Sequence, residues 1–118
     1  MKRIMLKSKI HRATITGTEL DYGGSITVDS ELLEKADILP DEQVHVLNLN
    51  NGNRFITYAI PGAKGSGIVI LNGPAARLGE PGHIVMILSY CELRNDEAEG
   101  WKAKVIQVNA KNRVCRSN

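Results

Sequence analysis

At 118 residues the chain is the size of one domain, able to bury about two thirds of its unfolded surface in a single core. Hydrophobic residues make up 42% but aromatics only 4%, so branched aliphatic side chains must fill the interior. Fifteen basic against thirteen acidic side chains leave a formal charge of +2, far from the concentrated excess of a nucleic-acid binder.

The N-terminus lacks the apolar run of a signal sequence, and no stretch approaches the ~20 apolar residues of a membrane helix. A cytoplasmic protein with no nucleic-acid or membrane partner is expected. Cys91 and Cys115 are too far apart for a metal-ligand pair and too few for a disulfide framework, which suits reduced thiols.

Ile4 to Ile15 mixes β-branched and basic residues in a strand-like run, with Lys2, Arg3, Lys7, Lys9 and Arg12 all preceding the first acid, Glu19. Such a positive stretch suits a solvated strand face or an anionic small molecule. Asp21-Tyr22-Gly23-Gly24 supplies a turn, and Ser25 to Val28 resumes as a strand. Asp29 or Ser30 can cap a short helix over Glu31 to Ala36, ending near Ile38-Leu39-Pro40.

In Gln43 to Leu49, Val44 and Val46 alternate with His45 and Leu47 as in a strand. Asn50 to Asn53 holds the Asn-Gly pair favoured by type I′ hairpins, and Arg54 to Ile60 is the returning strand. A glycine-rich loop over Pro61 to Gly67, a strand over Ile68 to Leu71 and a turn at Asn72-Gly73-Pro74-Ala75 follow. His83 to Cys91 and Lys104 to Val108 supply two more strands, and Asn109 to Asn118 read as a mobile polar tail. Many short strands without βα alternation predict a mainly β fold, closed or nearly closed into a barrel.

Familiar chemical signatures are scarce. Gly62 to Gly67 lacks the Gly-Lys-Ser/Thr ending of a phosphate loop and precedes a strand, so it reads as a connection. His11, His45 and His83 show no metal spacing, and a structural role is expected for each; no metal is predicted. Gly23-Gly24-Ser25, taken alone, is most simply a flexible turn. A serine hydroxyl directly after a glycine carbonyl can nevertheless attack that carbonyl when the backbone is held in a sparsely populated conformation. The resulting ester can eliminate to dehydroalanine, whose hydrolysis leaves a pyruvoyl group. Such a carbonyl is an electron sink that no ordinary side chain offers.

Four stretches make this specific: Met5 to Ala13 (MLKSKIHRA), Tyr22 to Ser25 (YGGS), Asn51 to Ile60 (NGNRFITYAI) and Asn72 to Ala76 (NGPAA). In this order and spacing the chain resembles the aspartate 1-decarboxylases, pyruvoyl-dependent enzymes of pantothenate biosynthesis, over nearly its whole length. The resemblance implies a six-stranded double-psi β-barrel with short helices, one domain over 1–118 that cleaves itself into 1–24 and 25–118. It implies a homotetramer with active sites between neighbouring subunits. L-Aspartate would be the substrate, and the cofactor a covalent pyruvoyl group from Ser25, with neither metal nor pyridoxal phosphate.

Residue by residue, the resemblance places cleavage after Gly24 and makes Ser25 the pyruvoyl precursor and Schiff-base carbon. Thr57 would assist processing and contact substrate, and Tyr58 would return a proton after decarboxylation. Lys9, Arg54 and the Gly73-Pro74-Ala75 backbone would hold substrate, while His11, Tyr22 and Asn72 would line or support the pocket. A guanidinium offers two parallel donors to one carboxylate, which suits Arg54. The family often carries an acid where this chain has Gly23 and a small residue at Pro74, which lacks a backbone N–H.

Without the resemblance, Arg54 would read as an exposed strand charge, and Thr57 and Tyr58 as ordinary strand formers. Alternation also puts Thr57 and Tyr58 on opposite faces. Two other readings compete. Ser25 to Val46 also looks like the swapped-hairpin DNA-binding domains of bacterial transition-state regulators, and the chain can be read as an uncleaved, non-catalytic barrel.

Overall fold

The computed structural model describes residues 1–117. The expected mainly β fold is found. The elements are β1 (Lys2–Thr14), β2 (Gly17–Glu19), β3 (Ser25–Asp29), α1 (Ser30–Lys35), β4 (Gln43–Asn48), β5 (Arg54–Gly62), β6 (Val69–Asn72), β7 (Ile84–Arg94), α2 (Asn95–Ala98), β8 (Lys104–Val108) and β9 (Val114–Ser117). A 3-10 turn, Gly73–Arg77, follows β6. Short β2, β9 and α2 carry too little periodicity to be read from sequence.

The strands form one sheet in the order β2-β6-β3-β5-β4-β7-β1-β8-β9. Three pairs are parallel, β1 with β8, β2 with β6 and β3 with β5, and the others antiparallel. The hydrogen-bonded order runs from β2 to β9 without joining its ends. Within it, β3 and β4 are separated by β5, so the segment resembling a swapped-hairpin domain is built into the larger sheet.

Alternation fixes the core. Val44 and Val46 of β4, Val85 and Ile87 of β7, Ile26 and Val28 of β3, and Val69 and Leu71 of β6 are fully buried, with Leu32 and Leu33 of α1 against them. Burying each such side chain contributes about 1.5–3 kcal/mol. Among the described residues, no helix is long and apolar enough to cross a membrane.

Asp29 caps α1 as expected, its Oδ1 accepting from the Glu31 backbone N–H at 2.9 Å. It also organises the glycine-rich loop: Oδ1 accepts from Gly65 N–H at 2.9 Å and Oδ2 from Gly67 N–H at 2.8 Å. A buried carboxylate thus satisfies three backbone donors that would otherwise be orphaned.

Two expectations need correction. A type I′ turn requires positive φ at both central residues, but of Asn51 and Gly52 only Gly52 has it. The connection is wider: Gly52 N–H donates to Asn48 O at 2.9 Å, and Asn48 Oδ1 accepts from Asn50 N–H at 2.8 Å. Nor do residues 109–117 form a mobile tail; Asn118 lies outside the described residues. Asn112 is buried, donates through Nδ2 to Thr14 O at 2.8 Å and Gly67 O at 2.7 Å, and accepts from Thr14 N–H at 2.7 Å. Polar composition suggested a solvated tail, whereas this asparagine closes a backbone gap between β1 and the glycine loop.

Candidate active site

Ser25 opens β3 and is fully buried, directly after Gly24, whose φ of +89° is accessible to glycine but costly for residues with a Cβ. Across the ladder its partner is Asn72. The Asn72 Nδ2 donates to Ser25 Oγ at 2.9 Å and to Thr27 Oγ1 at 2.8 Å. Ser25 Oγ therefore accepts a hydrogen bond and keeps its own hydrogen available.

Gly73 ties this corner together. Its φ is +63°, and a Cβ there would lie 2.3 Å from Tyr22 O and 2.6 Å from Gly24 N. Only a residue without a side chain lets the backbone after β6 rest against the 22–24 turn. The predicted turn at Asn72 to Ala75 is the start of the 3-10 segment, and Pro74 sits at its beginning, where a missing N–H costs little.

β5 changes partners beside this corner. Arg54 to Tyr58 pair with β4, whereas Ala59 to Gly62 pair in parallel with Ile26 to Asp29. Continuing that parallel register by two positions sets Tyr58 alongside Ser25 and Thr57 alongside Gly24. A cavity of about 350 Å³ occupies the place, lined by Gly24, Phe55, Ile56, Thr57, Tyr58, Pro74, Ala75 and Leu78. Thr57 and Tyr58 do alternate, as burial along β5 shows, yet both reach the cavity because it lies at the open edge of the strand. Phe55 and Leu78 complete its apolar wall; nothing in the sequence assigned either a role at the site, although Phe55 lies within the stretch Asn51 to Ile60.

Lys9, His11 and Arg54 are placed elsewhere in the same chain. Arg54, Ile56 and Tyr58 share the exposed face of β5, and Arg54 lines a second cavity of about 540 Å³ with His45 and Tyr90. Lys9 pairs with Leu88, which pairs with His45, so Lys9 lies two strands, roughly 10 Å, along the same face. His11 follows on β1 opposite Gln107. Its Nδ1 is buried with no hydrogen-bond partner among the described residues. Burial, then Lys9 and Arg12, lower its pKa, which keeps the ring neutral at pH near 7. The outer face also exposes Ile4 (74%), Ile56 (59%) and Tyr58 (37%), an apolar surface beside two cations.

Thus Tyr22, Gly24, Ser25, Thr57, Tyr58, Asn72, Gly73, Pro74 and Ala75 gather at one corner, and Lys9, His11 and Arg54 do not join it within one chain. The corner holds a buried hydroxyl next to a peptide carbonyl, and beside it a phenol at a largely apolar cavity. Among the described residues, no group of three His, Cys, Asp or Glu side chains is placed to hold a metal ion.

The model of the aspartate decarboxylase family matches residues 1–115. The aspartate 1-decarboxylase of Thermoanaerobacter pseudethanolicus is 55% identical over 113 residues, 96% of this chain and 97% of its own length. That of Pelotomaculum thermopropionicum is 54% identical over 93% of this chain and 83% of its own. That of Syntrophus aciditrophicus is 50% identical over 97% and 98%. With this match along nearly its full length, the chain belongs to the aspartate decarboxylase family.

Proposed function

We propose that the chain converts L-aspartate to β-alanine and carbon dioxide, serving pantothenate and hence coenzyme A synthesis in the cytoplasm, with a pyruvoyl group made from its own Ser25. The family match supports the reaction. The observation that carries the cofactor is the fully buried Ser25 behind a positive-φ glycine, with Asn72 on its Oγ. The surroundings fit a small carbonyl at that position, since the adjoining cavity offers the Thr57 and Tyr58 hydroxyls and an apolar wall.

Maturation begins when Ser25 Oγ attacks the Gly24 carbonyl carbon. The peptide C–N bond breaks, an ester C–O bond forms, and the hydroxyl proton passes to the freed amine. Loss of the Ser25 Cα proton then expels the Gly24 carboxylate from Cβ and releases residues 1–24. Water replaces the nitrogen of the resulting enamine as ammonia, leaving residues 25–118 with a ketone at their N-terminus. Asn72 orients Oγ in this sequence, and Thr57, level with Gly24, is placed to stabilise charge on the attacked carbonyl oxygen.

The pyruvoyl carbonyl supplies a sink for the electron pair left when carbon dioxide departs. The chain's own residues do the rest. Tyr58, level with position 25, holds a phenolic proton for the carbon that loses its carboxylate. Arg54 and Lys9 hold a substrate carboxylate by charge and hydrogen bonding, with the Gly73-Pro74-Ala75 segment closing the pocket and Tyr22, His11 and Asn72 supporting it. Phe55, Ile56 and Leu78 exclude water from the α-carboxylate, which favours its loss as a neutral molecule.

Arg54 and Lys9 lie on the outer face, so they serve the Ser25 corner of a neighbouring copy. A homotetramer with sites between subunits accounts for this placement, and the apolar outer face of Ile4, Ile56 and Tyr58 supports that reading. The double-psi form of the barrel belongs to the same reading, supported by parallel pairs within an otherwise antiparallel sheet.

Intact-mass measurement tests the proposal. Active wild-type protein should contain pieces 1–24 and 25–118, the larger blocked by a ketone, and Ser25→Ala should remain one inactive chain. Turnover of aspartate by an unbroken chain would end this reading.

A further inference from the structure

Arg54 is held by neutral groups alone. Its Nη2 donates to the Tyr90 phenol oxygen at 3.0 Å and lies 3.3 Å from His45 Nδ1. A guanidinium has no lone pair to offer, so His45 Nδ1 must be the acceptor and the ring proton sits on Nε2. Tyr90 and His45 also meet edge to face, with ring centroids 4.8 Å apart at 65°. Each ring therefore limits the movement of the other beside the guanidinium.

Two carboxylates border the same cavity, Glu42 and Glu92, yet neither pairs with Arg54 among the described residues. Glu42 is committed to Lys7 at 2.7 Å and to the Leu39 backbone N–H at 2.9 Å. Arg54 Nε and Nη1 likewise have no partner among the described residues. The protein has fixed one nitrogen of this guanidinium without neutralising its charge.

We propose that Tyr90 and His45 are positioning residues that aim Arg54 at a substrate carboxylate while leaving its charge unpaired. This rests on the reading of Arg54 as a carboxylate holder. Of the two contacts, the longer one to His45 is the one that a carboxylate taking two parallel donors would displace first. Tyr90 then keeps the guanidinium in place.

The protonation state of His45 fits this role. Burial, followed by the charge of Arg54, lowers its pKa, so the ring is neutral at neutral pH. The titratable groups that line the cavity with it are Arg54 from β5, Tyr90, Cys91 and Glu92 from β7, and Glu42 from the segment before β4; Lys9 lies beyond Leu88 on β1. On acidification an Nδ1–H would oppose the Arg54 N–H, and the aim would be lost.

The test uses the processed, assembled protein and succinate, which carries two carboxylates but no amine and so cannot react. Calorimetry should show Tyr90→Phe binding succinate roughly three- to tenfold more weakly, with KM for aspartate rising similarly and kcat near that of the wild type. In an Arg54→Lys background, Tyr90→Phe should have no further effect. His45→Gln, whose amide oxygen accepts at every pH, should keep wild-type affinity at neutral pH and flatten the acid-side loss. Unaltered binding by Tyr90→Phe while Arg54→Lys binds weakly overturns the proposal alone. So does an equal loss from Tyr90→Phe in both backgrounds, or an unchanged acid limb in His45→Gln. Full succinate affinity in Arg54→Lys overturns the carboxylate reading and the proposal with it.

Discussion

The Asn72 side-chain amide donates to Ser25 Oγ at 2.9 Å, across a ladder in which the two residues are also direct partners. Backbone pairing and side-chain contact together hold the hydroxyl beside the Gly24 carbonyl. The same amide holds Thr27 Oγ1 at 2.8 Å, so it cannot rotate without losing both bonds. Asn72→Ala should therefore slow cleavage by about ten- to a hundredfold, because misplacing a reacting atom by an ångström costs that much. A mass time course from the freshly made chain reads it directly. Wild-type cleavage kinetics would show that Asn72 does not orient Oγ.

Gly73→Ala should be more severe. The new Cβ would lie 2.3 Å from Tyr22 O and 2.6 Å from Gly24 N, both backbone atoms, at a φ of +63°. Either the 22–24 turn or the start of the 3-10 segment must move. A loss of about 2–4 kcal/mol in stability is expected from the overlap and the backbone conformation together. Thermal unfolding should show a lower Tm, and the chain should remain uncut because the scissile bond has shifted. Normal maturation of this variant would mean that the contact with Gly73 does not set the geometry of the turn.

Part of the fold was legible before any coordinates. Alternation marked Val44 and Val46 as one side of a strand, and Asp29 or Ser30 was readable as a helix cap because type and place fit an N-terminus. The motif around Ser25 brought in Asn72, Gly73, Thr57 and Tyr58 only through family resemblance, since their meeting depends on the switch of β5 from β4 to β3. That switch is a tertiary event with no local signature. Asn112 misled for a similar reason: a polar residue in a polar stretch reads as solvated unless its buried backbone partners are known. The pairing of Arg54 with Tyr90 and His45 was equally hidden, because it joins three strands, with Tyr90 lying 36 residues from Arg54 and farther still from His45.

Tyr58→Phe separates maturation from turnover. Tyr58 lies level with Ser25 in the continued register and lines the cavity, while the contact on Ser25 Oγ comes from Asn72. The variant should be cleaved like the wild type and bind succinate comparably, but decarboxylate with kcat lower by about 10²–10⁴, the usual contribution of a positioned acid. Mass spectrometry and carbon dioxide release measure the two halves. Retained turnover would move the proton donor to another group, and failed cleavage would assign Tyr58 to maturation as well.

Asp29 gives the fold an acid-sensitive point, and its sign can be worked out. Burial alone would raise its pKa, but the N–H groups of Gly67, Glu31 and Gly65, with the Arg113 charge, outweigh it and hold the carboxyl below 3.8. A depressed folded value means that the unfolded chain takes up the proton first. The stabilisation is complete above about pH 3.8 and fades as pH falls through the lower folded value. In Asp29→Asn the amide oxygen can still serve Glu31 and Gly65, but Gly67 N–H would face an NH₂ group. The variant should be less stable by about 1–3 kcal/mol near neutral pH. That deficit should shrink on acidification, because only the wild type has a proton-linked contribution to lose. Urea unfolding of both proteins near pH 7 and near pH 3 measures the difference. A gap of the same size at both would show that the carboxylate's charge contributes nothing to holding the glycine loop.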